Sequence, residues 1–225
     1  MFFVAMWYVP SIFVLADTGI PFLCIPPHVL ETFKDDNHWS KNERLRLHCH
    51  HWTVDGFIAT PDGGIDFLDE FQQTNDDDDD FGFADFMASV DVLVMGRKSF
   101  EKVVSFGKDM WAYGTTPVVV WSRGQVAIPE YLAETVTASS LSPRDLFDLL
   151  EAQGHKHAYI DGGITVQTFL EAGLIQELKL TRVPILLGEG IPLFSNAGRK
   201  IPLNHVETKA YANGMVMSTY HIIRE

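Results

Sequence analysis

The chain reads as an α/β protein: a mixed, mainly parallel sheet covered by helices on both faces, closed by an antiparallel hairpin at the C-terminal end. Three observations carry this reading. From Val92 onward, short apolar runs alternate with amphipathic stretches in the order strand, helix, strand, helix. Near the end, Asn213-Gly214 stands between two strand-like runs, and Asn-Gly is a strong signal for a two-residue hairpin turn. Three of the apolar runs also finish in residues suited to hold an anion.

The bulk numbers narrow the classes. With 225 residues, 46% of them apolar and 21% charged, the chain can bury one good-sized core, so one soluble domain is expected. A formal charge of −13 repels a nucleic-acid backbone, so nonspecific DNA or RNA binding is not expected. Cys24 and Cys49 form no disulfide framework and no Cys-x-x-Cys pair, which fits a reducing, cytoplasmic setting. His48, His50 and His51 crowd together, yet successive strand side chains point to opposite faces and no acidic or cysteine partner stands at ligand spacing. No metal is expected.

Residues 1–44 read as an N-terminal extension of uncertain role. Met1 to Ala16 is almost wholly apolar but holds Pro10, and it falls short of the roughly 20 apolar residues that a membrane span needs. No Lys or Arg precedes Lys34, so the positive region of a secretory signal is missing. Three readings stay open: a leader tied down by burial, a membrane or partner contact, or a stretch upstream of the native product. Stable membrane insertion is not expected.

The domain proper is expected over 45–225, with Leu45 to Val54 as its first strand. Asp55 to Gly64 carries two glycine turns around Phe57, Ile58 and Ala59, and reads either as a loop folded back over something or as a surface hairpin. Ile65 to Gln73 is a short amphipathic segment. Asp76 to Asp79 reads as a solvated acidic loop. Asp80 differs because it abuts Phe81-Gly82-Phe83, a helix start where an acid is favoured by the dipole and can face inward. Asp91 opens the strand Val92 to Met95, Gly96 ends it, and a helix follows to Val104. Val118 to Trp121 is the next strand, and Glu134 to Ala138 a short one. Ser142-Pro143-Arg144-Asp145 starts a helix to Glu151 with serine at the cap, proline in the first turn and an acid three residues on. After the strand Ala158 to Ile160 and the turn Asp161-Gly162-Gly163, Ile164, Val166, Phe169 and Leu170 recur at helical spacing. Ile175 to Leu187 is a long apolar strand interrupted by Pro184, and Val206 to Tyr211 with Met215 to Ile223 form the hairpin.

The three strand ends share one chemistry. Gly162 and Gly163 let backbone approach a ligand, and the first amides of the following helix lack partners. Gly96 is followed by Arg97, Lys98 and Ser99, and Trp121 by Ser122 and Arg123. Together they suit one long ligand carrying several phosphates, a phosphorylated dinucleotide. A Rossmann domain is disfavoured, because no Gly-x-Gly-x-x-Gly follows the first strand, and Gly188-x-Gly190 lacks the third glycine and runs into Pro192.

Thr53 to Ala59, Met95 to Phe100, Val119 to Arg123, Asp161 to Ile164 with Phe169 and Leu170, and Arg182 to Phe194 together resemble the dihydrofolate-reductase-like superfamily. The nearer resemblance is to the reductase domain at the C-terminal end of the bifunctional riboflavin-biosynthesis deaminase-reductase and its stand-alone relatives. It covers about residues 45 to 224. The resemblance implies a three-layer α/β/α fold around a mixed, mainly parallel sheet of about eight strands, and NADPH as cofactor. It places Gly96, Arg97, Lys98 and Ser99 on the pyrophosphate and adenosine end, and Ser122 and Arg123 on the ribose 2′-phosphate. Asp161, Gly162, Gly163 and Ile164 would seat the pyrophosphate, and the backbone up to Thr53 the nicotinamide carboxamide. Asp80 would stand where the family keeps its pocket carboxylate, with Asp55 as a second candidate catalytic acid. His48 to Trp52 departs from the small or apolar residues usual there.

The implied activity is that of a 5-amino-6-(5-phosphoribosylamino)uracil reductase-like enzyme acting on a small substrate, without a deaminase half. Lys102, Lys108 and Arg182 are the cations available to a phosphorylated substrate. A non-catalytic NADP(H)-binding module is the alternative. Self-association as a homodimer is also implied, with the apolar terminal strands as its surface.

Overall fold

Val92, Leu93, Val94 and Met95 are apolar in succession because helices cover their strand on both faces, and all four are fully buried. In this computed structural model, residues 14–15, 21–22, 44–72, 80–194 and 199–223 are described. The chain divides into two units, Met1–Ser40 and Lys41–Glu225. In the first, β1 (Val14–Leu15) and β2 (Pro21–Phe22) pair antiparallel, Val14 opposite Phe22. The rest of the expected extension up to residue 43, the acidic run Asp76 to Asp79 and the side chains of residues 44–50 lie outside the described residues.

The second unit is built on an eight-stranded sheet. Its parallel strands are β3 (Arg44–Thr53), β5 (Val92–Gly96), β6 (Val118–Trp121), β7 (Val136–Ser139), β8 (His157–Asp161) and β9 (Glu177–Val183). The C-terminal hairpin adds β11 (Leu203–Ala210) and β12 (Val216–Ile222) antiparallel to β9. In space the order is β11-β12-β9-β3-β8-β5-β6-β7. The sheet is therefore mixed and mainly parallel, as the sequence indicates. The expected hairpin forms as read, with the Tyr211 amide donating to Met215 O at 2.9 Å and Gly214 at φ +84 in the turn. β9 ends earlier than expected, at Val183, because Pro184 has no N–H to continue a ladder.

Alternation along the strands sorts the core into two layers. On one face, Val92, Val94, Ala158 and Ile160 pack with Leu146 and Leu150 of α4 (Pro143–Ala152) and with Val166, Phe169 and Leu170 of α5 (Gly163–Glu171). On the other, Leu93, Met95 and Tyr159 meet Phe86 of α2 (Phe83–Ala88) and Phe100 of α3 (Arg97–Ser105). Burying each such side chain stabilises the fold by roughly 1.5–3 kcal/mol. Two helical layers enclosing one sheet make the three-layer α/β/α arrangement.

Topology then places a crevice. β5, β6 and β7 step outward in one direction, after which β8 returns to lie between β5 and β3. Asp91 fixes that return, its Oδ2 accepting the amides of Lys156 at 2.7 Å and His157 at 2.8 Å. The neighbours β5 and β8 thus send their chains to opposite faces, into α3 and α5. Open α/β sheets hold ligands at the carboxyl ends of strands at such a switch.

The Asp55 to Gly64 stretch resolves as part of a second, small sheet. There β4 (Phe57–Ala59) pairs antiparallel with β10 (Ile191–Pro192), and the Leu193 amide donates to Gly56 O at 3.0 Å. A third cluster, around Leu68, Val183, Tyr211, Met215 and Met217, lies under a 3-10 turn at Asp66–Leu68 and α1 (Asp69–Gln72).

Candidate functional site

α3 and α5 begin alike. Their N-caps are Gly96 and Gly162, neither start has a side-chain cap, and neither carries an acid in its first turn. Their leading amides are left for an outside acceptor. The two starts interlock. A Cβ on Gly162, which sits at φ +90, would fall 2.5 Å from Ser99 Oγ, and one on Gly96 would fall 2.8 Å from Thr165 Oγ1. Gly163 is covered from the β4 side, where a Cβ would meet Ile58 Cδ1 at 3.0 Å. A side chain at Gly96 or Gly162 would displace the Thr165 or Ser99 hydroxyl, and at Gly162 it would also meet the strain of a positive φ.

The third corner lies on the same rim. Across adjacent strands, Met95 stands opposite Asp161 and Gly96 opposite Trp121, so β8, β5 and β6 end level with one another. Beyond Trp121, Ser122 donates its amide to Ser139 O at 2.9 Å and its Oγ accepts the Gly124 amide at 3.1 Å. That small turn leaves Arg123 exposed. Lys98 is exposed as well, whereas Arg97 pairs with Glu101 at 3.4 Å along the outside of α3.

The carboxyls of the region differ by surroundings. Burial pushes Asp161 up to about 6, against hydrogen bonds from the Tyr159 hydroxyl at 3.3 Å and the Gly162 amide. Tyr113 lies close by, raised by its own burial and by the Asp161 charge. Asp55 is held below the usual carboxylate range by the Thr53 hydroxyl at 2.5 Å, helped by the Gly188 amide at 2.7 Å. Thr53 also accepts the Phe57 amide at 3.0 Å and is fully buried, so its side chain is occupied within the fold. Asp55 and Thr53 together latch the β3–β4 turn to the Gly188 loop. Asp80 is exposed, and its two oxygens take the amides of Gly82 at 2.9 Å and Ala84 at 2.6 Å at the start of α2. The dipole argument for an acid there holds, but the carboxylate caps the helix rather than facing inward. Burial pushes His51 down to about 4, a neutral imidazole beside a bulge in β3 between Cys49 and Trp52.

The structure thus gathers Gly96, Ser99, Asp161, Gly162 and Gly163 at one crevice, with Ser122 and Arg123 on the next strand end. It leaves Asp55 and Asp80 in structural bonds. Of the cations available to a phosphorylated substrate, Lys102 and Lys108 rest over the rings of Phe106 and Tyr131. The apolar stripe expected on α5 is corrected at Ile164, which is 71% exposed, and Thr165 takes the buried place at 3%. The reason is periodic. Val166, Phe169 and Leu170 define the inward stripe, and stepping back by three or four from Phe169 reaches Val166 and Thr165, not Ile164. Thr165 and Tyr113 were missed in the sequence; the same step along the helix finds Thr165, while nothing local marks Tyr113.

Residues 50–217 match the RibD C-terminal domain. The chain belongs to that family. It is 29% identical to the uncharacterized protein YyaP of Bacillus subtilis over 75% of this chain and 90% of that one. To YwjB of the same organism, also uncharacterized, it is 30% identical over 76% and 93%. A putative riboflavin biosynthesis protein from Shewanella sp. PV-4 superposes with a TM-score of 0.75 at 35% identity, covering 80% of this chain and 99% of that one. A diaminohydroxyphosphoribosylaminopyrimidine deaminase/5-amino-6-(5-phosphoribosylamino)uracil reductase from Thermotoga maritima shares the fold with a TM-score of 0.61 at 13% identity, covering 81% and 57%. The chain thus has the dihydrofolate-reductase-like, riboflavin-reductase-like architecture expected from its motifs. No helix among its described residues is long and apolar enough to cross a membrane.

Proposed function

We propose that this RibD C-terminal family member is a soluble, cytoplasmic NADPH-dependent reductase acting on a small heterocyclic substrate, of the kind reduced by 5-amino-6-(5-phosphoribosylamino)uracil reductases. The observation that carries this reading is the pair of uncapped helix starts, α3 and α5, interlocked at one crevice beside the strand end that bears Arg123. Backbone amides of Gly96 to Ser99 and Gly162 to Ile164 would hold the phosphates, and Ser122 with Arg123 would grip the 2′-phosphate as a guanidinium grips any phosphate, bidentately. NADPH supplies hydride when bound. Ile164 offers an apolar side chain on the rim, and β4 with β10 shields the α5 start from water. Asp161, which burial raises to about 6, titrates close enough to neutrality to exchange a proton there.

A second reading is a coenzyme-binding module without turnover. One observation favours it: both acids expected in the pocket, Asp55 and Asp80, are held in bonds that shape the backbone. The readings part in one experiment. Purified protein is titrated with NADPH and with NADH by nicotinamide fluorescence, then assayed for NADPH oxidation across heterocyclic substrates. Tight binding of NADPH with oxidation supports the reductase; binding without oxidation by any substrate supports the module; failure to bind either coenzyme overturns both.

A further inference from the structure

The crevice gathers the ends of β8, β5 and β6 with the first turn of α5. On the other flank of the sheet, beyond β3, stand β9, β12 and β11. There Leu178 of β9, Leu203 of β11 and Leu170 in the last turn of α5 line an apolar cavity with Phe194 and Ile201. Its volume is about 180 Å³. An apolar cavity of about 150 Å³ stays dry and admits benzene, so this one has space for a single ring with a small substituent.

The polar groups in the cavity wall are engaged elsewhere. The Gln167 side-chain amide donates to Leu193 O at 2.9 Å and to Pro192 O at 3.3 Å, and the Arg199 guanidinium donates to Leu170 O at 3.5 Å. Glu171 and Arg199 bring opposite charges to the lining and both are exposed to water, so neither sign of ligand is favoured. One donor close by is different. The indole Nε1 of Trp52 is buried and has no acceptor among the described residues. Such a donor is rare, because it has left water without gaining a partner. Phe194 joins the two features: its ring lines the cavity and meets the Trp52 indole edge to face, with centroids 6.3 Å apart. Phe194 is also 38% exposed, which leaves its ring room to turn outward.

We propose that this cavity is a ligand site separate from the crevice, taking a neutral one-ring molecule that carries a single carbonyl. The ring fills the space between Leu170, Leu178 and Leu203. Phe194 turns aside, and the carbonyl oxygen accepts the Trp52 N–H. The surrounding apolar walls keep water from that bond, so the acceptor decides the affinity. The site binds its ligand and is assigned no chemistry, and it does not depend on which coenzyme the crevice holds.

Fluorine NMR of the full chain tests the proposal with two probes: para-fluoroacetophenone, and para-fluoroethylbenzene as a close match in shape without an acceptor. The ketone is expected to bind with a Kd below about 1 mM, and about tenfold more tightly than the hydrocarbon. Trp52→Phe should abolish that difference while the hydrocarbon still binds, and Leu203→Trp, at a wall position 41% exposed, should block both probes. In proton–nitrogen spectra of the unaltered chain, the Trp52 indole signal should shift with the ketone and not with the hydrocarbon. That comparison stands whether or not either variant folds. Saturating NADPH should leave the ketone bound. Binding of neither probe, equal affinities for the two, or an unmoved Trp52 indole signal would each overturn the proposal, and so would displacement of the ketone by NADPH, which puts it in the crevice.

Discussion

Three helices of this protein start at the same edge of its sheet, and one of them starts differently. α4 opens on Ser142, whose Oγ accepts the Asp145 amide at 3.2 Å and donates to the Asp145 carboxylate at 2.6 Å, with Pro143 at the first position. Its leading donors are partly satisfied and an acid already answers its dipole. α3 and α5 open on glycines with neither device. The difference separates a helix start closed by its own cap from two starts whose leading amides have no side-chain cap, the two on which the proposed coenzyme site rests.

The contrast breaks most sharply at Gly162. Gly162→Ala forces a side chain onto φ +90 and toward Ser99 Oγ, at a cost of about 1–3 kcal/mol in backbone strain alone. Calorimetric unfolding should show that loss, and NADPH affinity measured by fluorescence should fall by about a hundredfold. Next comes Arg123→Ala, which should weaken NADPH by about tenfold or more through the lost charge-assisted contact and leave NADH unchanged. Parallel titrations with the two coenzymes read that selectivity.

Asp161→Asn sharpens the electrostatics. A carboxyl raised from 3.8 to about 6 binds its proton more tightly in the folded state. Its stabilising effect is complete below the unfolded value and is lost as pH rises through about 6. The asparagine keeps an acceptor for Tyr159 and Gly162, so it should stabilise the fold at pH 7.5 by on the order of 2 kcal/mol and flatten the stability profile between about pH 4 and 6. Denaturant unfolding across that range checks it. The smallest effect falls on the closed start: Ser142→Ala should lose about 1 kcal/mol of stability and leave coenzyme binding untouched.

Much of this was legible beforehand because periodicity and turn chemistry are local. Four apolar residues in a row announced β5, Asn213-Gly214 announced the hairpin, and Ser142-Pro143 announced the start of α4 to the residue. The glycine corners at Gly96 and Gly162 were legible for the same reason, since glycine after an apolar run marks a strand-to-helix turn. What the sequence concealed depends on contacts between distant segments. Asp55 reads as an acid beside a pocket until Gly188, more than a hundred residues away, is seen to bond it. Asp80 lies at its expected helix start, but only the backbone path shows its oxygens turned onto the amides of Gly82 and Ala84. The burial that raises Asp161, and the nearness of its charge to Tyr113, depend on how distant segments pack, which no short motif records.

The most direct measurement is a crystal structure with NADP. The account expects the pyrophosphate between the first turns of α3 and α5 and the 2′-phosphate on Arg123. Density for the dinucleotide on another face of the molecule, or lying across the capped start of α4, would contradict it.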